Sequence, residues 1–403
     1  MRFPFLAMPM ALVLLAAAPA SAQTSPPPDD PMQNVPIRFG PVGLSPSILV
    51  RDIGRDNNVF NESTDPKSDF VATISPKLDI YFRPGPLRLT YTTTSDYVYY
   101  QTYKSERGTN LGTSLRAELQ LGAFHPFVST GRGNTRERLN REIDVRARHH
   151  DTTYAGGLDV QLFEGVTASV GARHSQLAFE SGAEFRGQDL ETALNSTTDA
   201  IDAGGGVALT PLTTVRVTYT RERSRFVFTP DRNSESYRVV PSVTFSPLAF
   251  LNGSAAFGYR HFTGHSPDVP DYSGFVSTVT LGSTVLGRYR LDGTVSRDLS
   301  YSYDETTPEY LETAFTAGLT WQIAGPVDLH VTAGRSRLHY RSPRVTAATD
   351  DDTARTYGFS FGYRLTEHLR AGLNGDWRGR ASERSADRTY DNRRLYANLA
   401  WGI

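Results

Sequence analysis

Residues 87–99 read LRLTYTTTSDYVY. The odd positions are Leu87, Leu89, Tyr91, Thr93, Ser95, Tyr97 and Tyr99, while Arg88, Thr90, Thr92, Thr94 and Asp96 occupy much of the other side. A period of two belongs to a β-strand, whose side chains point alternately to opposite faces. One face is oily and the other wet.

Working outward, the pattern returns at Leu111, Thr113, Leu115, Ala117, Leu119 and Leu121 against Arg116, Glu118 and Gln120, and again at Tyr237, Val239, Pro241, Val243 and Phe245. Phe315, Ala317, Leu319, Trp321 and Ile323 alternate with Thr316, Gly318, Thr320 and Gln322; Leu369, Ala371, Leu373 and Trp377 alternate with Arg370, Asn374, Asp376 and Arg378. The register slips between Val170 and Leu177, which predicts a bulge there.

Connections of two lengths take turns. Short ones fall at 83–86, 123–126, 163–165, 210–212, 247–250, 286–287, 324–326 and 366–367, with hairpin turn chemistry. Long polar ones fall at 54–68, 104–108, 133–150, 180–199, 229–234, 263–271, 304–309, 341–353 and 379–391. Eight short and nine long links join eighteen strands, with sixteen to twenty as the range. Such a chain is expected to be a transmembrane antiparallel β-barrel over residues 44–403, with short periplasmic turns and long extracellular loops. Closure has a physical cause: hydrocarbon offers no partner to an unpaired amide. A soluble propeller would repeat every 40 residues or so, and no such repeat is present.

Composition agrees. The 403 residues hold 42 Lys+Arg against 43 Asp+Glu and no cysteine, which excludes disulfide scaffolds, thiolate metal sites and cysteine nucleophiles. Lys occurs only at positions 67, 77 and 104, and near-neutral charge gives no field for a nucleic-acid backbone. Met1 and Arg2 precede an apolar run to Ala18, and Ala20, Ser21 and Ala22 form a small-residue cleavage pattern, so 1–22 reads as a removed signal peptide. Residues 23–43 hold six prolines and read as an extended, solvated periplasmic tail. Localisation in the outer membrane of a Gram-negative-type bacterium follows.

Aromatics beside the short turns, Phe82, Phe124, Phe127, Phe163, Phe245, Tyr289, Trp321 and Tyr363, predict one membrane girdle, joined by Trp401 on the last strand. Tyr99, Tyr103, Phe262, Tyr301, Tyr303, Tyr310 and Tyr340, near the long loops, predict the other. Leu395, Ala397, Leu399, Trp401 and Ile403 share one face of the final strand, which resembles the C-terminal signal read by the outer-membrane assembly machinery; most such signals end in Phe, and Ile403 departs from that.

Residues 55–60 (RDNNVF), 68–71 (SDFV) and 74–78 (ISPKL) resemble the opening hairpin of the outer-membrane β-barrel porin family numbered two. The motif covers about thirty residues. The resemblance implies fold and location, and some members are associated with exopolysaccharide systems.

A barrel this wide holds water, so a porin-like channel for passive diffusion of small hydrophilic solutes is the expected function. The alternative is a structural or interaction barrel plugged by its loops, associated with exopolysaccharide export. Pore-lining candidates are Asp79, Arg88, Arg116, Glu118, Asp159, Arg216, Arg290, Asp292, Arg370 and Asp376, with interleaved charges favoured over segregated ones. The long link 133–150 carries Arg136, Arg138, Arg141, Arg146 and Arg148, and 180–199 carries Glu184, Asp189, Glu191 and Asp199, which suggests a basic and an acidic lip. No enzyme is expected: His174-Ser175 and Asn195-Ser196 are generic pieces of a hydrolase site. His149-His150 and Asp350-Asp351-Asp352 lack a complete ligand pattern, and no cofactor or metal is implied. Gly204-Gly205-Gly206 lies within a strand and serves packing rather than phosphate. Implied partners are lipid, lipopolysaccharide, the assembly machinery and small polar solutes; oligomeric state stays open.

Overall fold

The structure, a computed structural model, describes residues 31–246, 249–342 and 351–402. Its strands are β1 Val42–Asp56, β2 Asp69–Phe82, β3 Leu87–Tyr100, β4 Gly108–Leu119, β5 Phe124–Thr135, β6 His149–Phe163, β7 Val166–Phe179, β8 Ser196–Thr210 and β9 Thr213–Phe226. They continue as β10 Ser234–Phe245, β11 Leu251–Gly264, β12 Tyr272–Val285, β13 Tyr289–Tyr301, β14 Glu309–Ala324, β15 Val327–Arg341, β16 Asp351–Thr366, β17 Leu369–Ser382 and β18 Tyr390–Trp401. Each pairs antiparallel with the next, and β18 returns to β1 from Ile48↔Trp401 to Asp56↔Arg394. Eighteen strands therefore close with no free edge. Below Trp401, the three-residue strand Ile37–Phe39 takes over the edge of β1 at Val42, Gly43 and Leu44.

Exposure separates the faces. Tyr97, Leu115, Val128, Tyr154, Val170, Val217, Leu291, Phe315 and Leu373 stand exposed on the outer side, and the polar residues between them point inward. The short turns cluster at one end and several carry a one-residue register shift, as at Gln161/Phe163 and Ala208/Thr210. The expected bulge between Val170 and Leu177 is absent, since β7 pairs without interruption from Val166 to Phe179 on its β6 side apart from the shift at the turn. Leu177 and Phe179 look inward because the loops give them an apolar surface to pack on.

The tail also differs from expectation. Residues 31–34 form a 3-10 turn whose Met32 is buried, and the Met32 and Val35 side chains pack where a Cβ on Gly43 would lie. The described part of that tail thus docks on the barrel's short-turn end rather than extending into solvent, and the barrel ladder starts at Val42. Residues 1–22 and Ile403 lie outside the described residues.

The closing seam demands glycine at one point. A Cβ on Gly54 would overlap the backbone carbonyl of Leu395, just above the bulge where Asp52 holds a φ of 59°. Gly54→Val is expected to block the β1–β18 seam and abolish the heat-modifiable folded band on cold gel electrophoresis, whereas Gly205→Ala, whose Cβ would meet nothing nearer than the Thr167 carbonyl at 3.9 Å, keeps it.

Candidate functional site: a loop-bridged lumen

The 136–148 link leaves the wall between β5 and β6, crosses the lumen and docks on β14 to β18. Arg380 of β17 makes the anchor. Its side chain is 1% exposed and donates to Asp144 Oδ2 at 2.7 Å, to the carbonyls of Arg141 at 3.2 Å and Glu142 at 3.0 Å, and to the Asp352 carboxylate. Asp352 also accepts from Arg388 at 2.9 Å and from the Tyr340 hydroxyl at 3.0 Å. Arg141 reaches Glu312, and the Tyr390 hydroxyl donates to Asp144 at 3.0 Å. Since β5 and β14 are nine strands apart in an eighteen-strand ring, these bonds span the barrel.

Around this bridge the extracellular links pack as one lid. Ile143 and Ala147 meet Phe179, Phe185, Leu190, Ala193, Leu194 and Tyr303, all buried, with the Phe185 and Tyr303 rings edge-on at 4.8 Å. A five-residue helix, Leu190–Leu194, supplies three of them and is capped by Asp189, which accepts from Glu191 N at 2.8 Å. Arg232 ties three links together through the carbonyls of Ala193, Ser302 and Pro308. Burial lowers its pKa from the ordinary guanidinium value.

Glu142 lies at the heart of the lid, fully buried. Its carboxylate accepts from Ser302 Oγ at 2.6 Å and Tyr303 N at 3.3 Å, without a direct ion pair. Burial pushes its pKa up to about 7, against the pull of those bonds, Arg388 and Arg380. Arg138, buried beside Arg146 and donating to the Val59 and Asp144 carbonyls, is lowered to about 10 by desolvation and then by Arg146. Arg138 lines, among others, a cavity of about 280 Å3 against β1 to β4 and one of about 440 Å3 against β14 to β17.

The basic and acidic lips do not form. Arg136 and Arg146 pair with Glu106, Arg141 with Glu312, and Asp199 with His174 and Arg225; Asp189 serves its helix. The two long links meet through apolar side chains and through Glu180, whose carboxylate lies 3.9 Å from Arg148 and 3.6 Å from His150 and whose backbone N–H donates to the Arg148 carbonyl at 3.1 Å.

The ten wall residues chosen from sequence all lie on the inner, polar face, and all but Asp376 sit near the short-turn end. Arg116 pairs with Glu118 at 3.3 Å and stacks over Phe127, which thereby faces inward rather than toward lipid. Asp79 takes Lys77 at 2.9 Å; Arg216 donates to Ser169 Oγ at 2.7 Å; Arg370 reaches over Gly362 to Asp328 at 2.6 Å. Asp376 holds Arg394 and the Tyr396 hydroxyl. Arg88 stands opposite Glu118, Asp159 opposite His125 and Ser169, Arg290 opposite Thr284 and Thr320, and Asp292 beside Gly318. Charges of opposite sign interleave. Missing from that set are Arg380, Asp352, Arg388 and Glu142, whose partners are remote in sequence.

Phe82, Phe245, Tyr289, Trp321, Tyr363 and Trp401 stand on the outer face at the short-turn end, Tyr289 and Trp321 stacked at 6.2 Å. The second aromatic set behaves otherwise: Phe262, Tyr303, Tyr310 and Tyr340 are buried inside, and Tyr301 donates to or accepts from Ser234 in the lid. Tyr97, Tyr154, Tyr219, Tyr237, Tyr259, Phe275, Tyr357 and Trp377 occupy the upper outer face instead. His174 points outward and Ser175 inward, bonded to Thr153, so they form no catalytic pair. His149 bonds Thr135 and the Ala147 carbonyl; Asp351 bonds Arg337 and His339. Gly204 and Gly206 give room to Ser169, Thr218 and Arg216.

Solved structures share the fold. A BenF-like porin from Pseudomonas fluorescens Pf-5 superposes with a TM-score of 0.50 at 11% identity, covering 89% of this chain and 98% of its own. OccK2 (OpdF) from Pseudomonas aeruginosa gives 0.50 at 12% identity, covering 89% and 97%. No curated protein sequence matches the chain. A family model described as "Putative beta-barrel porin 2" matches residues 30–401, and with the closed barrel this shows that the chain belongs to that family, an outer-membrane porin fold of Gram-negative bacteria and not an enzyme.

Proposed function

We propose that the barrel carries small hydrophilic solutes by passive diffusion, along the wall of Asp79, Arg88, Arg116, Glu118, Asp159, Arg216, Arg290, Asp292, Arg370 and Asp376, and that the 136–148 bridge sets the narrowest level. The observation that carries this reading is the bridge itself, which crosses the lumen and lines cavities against β1 to β4 and against β14 to β17. Ion pairs between neighbouring strands keep the wall wet without leaving a net field along most of its length. The exception is the cavity lined by β1 to β4, where Arg51, Arg55, Arg136, Arg138, Arg146, Arg378 and Arg394 outnumber Asp52, Asp56, Glu106 and Glu137. That excess favours anions.

The lower aromatics sit at headgroup level, Leu395, Ala397, Leu399 and Trp401 carry the assembly signal, and residues 1–22 are removed on export. Reconstituted in a planar bilayer under a KCl gradient, the protein is expected to give small steps with a reversal potential on the chloride side. A reversal potential on the potassium side refutes the preference. The buried apolar cluster of the lid favours a second reading, a barrel held shut as an interaction structure. A folded, silent barrel at every voltage supports that second reading.

A further inference from the structure

Above the apolar band, the outer face of β15 to β18 carries four exposed arginines: Arg337, paired with Asp351, and three others, Arg335 on β15, Arg355 on β16 and Arg393 on β18. Arg335 and Arg355 are direct cross-strand partners. Like charges so placed cost stability unless an anion lies between them. Among the described residues, none of the three guanidinium groups has a hydrogen bond or ion pair.

Gly379 follows Arg355 in the same row. Having no side chain, it leaves a groove of about 270 Å3 with Arg355, Tyr357, Trp377 and Arg393 on its walls and the Asp391 carboxylate over Gly379. Arg355 and Arg393 on its walls thus face one carboxylate, and Arg335 stands beside Arg355 on the next strand. At the same height across the barrel, Arg221, Arg223 and Arg225 are answered by Glu235 and Asp199, whereas on the β15–β18 side a cross-strand pair of arginines stands unanswered.

Below the arginines run Tyr357 and Trp377, then Phe361 and Leu373, all exposed. Aromatic rings with a polar row above them mark the level where hydrocarbon gives way to headgroups. We propose that this groove binds the phosphate of an outer-leaflet glycolipid, with the Arg335 and Arg355 forks on its oxygens and the acyl chains against Phe361 and Leu373. Planar guanidinium groups match phosphate oxygens two at a time, and a phosphate here relieves the Arg335–Arg355 repulsion. The assignment rests on membrane location alone and is independent of conduction.

The test uses the full mature chain folded in detergent, titrated in mixed micelles with bisphosphorylated lipid A, with the same lipid after removal of its phosphates, and with inorganic phosphate, bound lipid being read by native mass spectrometry. The phosphorylated lipid is expected to bind about tenfold tighter than its dephosphorylated form, and Arg335→Gln/Arg355→Gln/Arg393→Gln to erase that difference. Arg221→Gln/Arg223→Gln is expected to leave it intact. These side chains are exposed, and a heat-modifiable band confirms that each variant folds. If the triple variant binds as wild type does, or if the Arg221/Arg223 variant loses as much, the site is wrong. Equal occupancy by inorganic phosphate overturns the lipid assignment in favour of a plain anion site.

Discussion

Arg380→Ala is expected to raise single-channel conductance several-fold while leaving the barrel folded. The side chain is the only wall group among the described residues that bonds at once to the Asp144 carboxylate, to two loop carbonyls and to Asp352. Removing one partner of a buried pair costs about 3–5 kcal/mol, because the other charge is left in a poor dielectric. Asp352 keeps Arg388 and Asp144 keeps Tyr390, so the loss falls mainly on the docked loop. The β16–β17 and β17–β18 ladders are backbone structures and survive. Arg380→Lys retains the charge without the fork and is expected to fall between. Single-channel recording with cold gel electrophoresis checks both claims; wild-type conductance in a folded Arg380→Ala barrel would show that the bridge does not limit flow.

The same geometry explains why the lid is built from arginine. A guanidinium can serve several acceptors in one plane, and exposed loop ends are rich in carbonyls left over from strand termini. Arg232, Arg380, Arg138 and Arg146 each collect carbonyls from more than one segment or close off one that no strand could pair. Such bonds hold irregular chain inside the lumen, where a ladder is unavailable.

What the sequence disclosed followed from what lipid enforces. Leu115, Val217 and Phe315 must face hydrocarbon, so alternation appears in the letters, and an even strand count follows from the alternating lengths of the links. Loop destinations carry no period: Asp144 and Arg380 are 236 positions apart, and nothing local to either announces the other. Within the second aromatic set, proximity to loops misleads for Phe262, Tyr310 and Tyr340, which are buried inside, whereas Tyr99 keeps the outward parity of Tyr97. Phe262 falls on the opposite face from Phe257, Tyr259 and His261, and it packs inward with Tyr272 and Val276. Leu177 made an apparent slip for the same reason, since a packed lid lets apolar residues turn inward without a bulge.

Glu142 makes the lid pH-sensitive, with closure expected to strengthen under acid. The docked loop holds this carboxyl near 7, whereas a released, solvated loop returns it to about 4.5. Between those values the docked form keeps a proton that the released form has lost, so rising pH favours release, by at most roughly tenfold per pH unit for one proton. Below about 4.5 both forms are protonated and docking is strongest; above about 7 both are charged and the effect levels off. The groups facing Glu142 are Arg388 from the 383–389 link, Arg380 from β17, Arg232 from the 227–233 link, Tyr303 from the 302–308 link, Tyr310 from β14 and Tyr340 from β15. None is a carboxylate, and the arginines stay charged throughout the window. His149 sits at the foot of the loop against the Ala147 carbonyl, so its replacement is the control. Open probability recorded from pH 4.5 to 8.5 is therefore expected to rise with pH in wild type and in His149→Gln, and to stay low and flat in Glu142→Gln, which mimics the protonated carboxyl. A pH response that persists unchanged in Glu142→Gln removes Glu142 as its source.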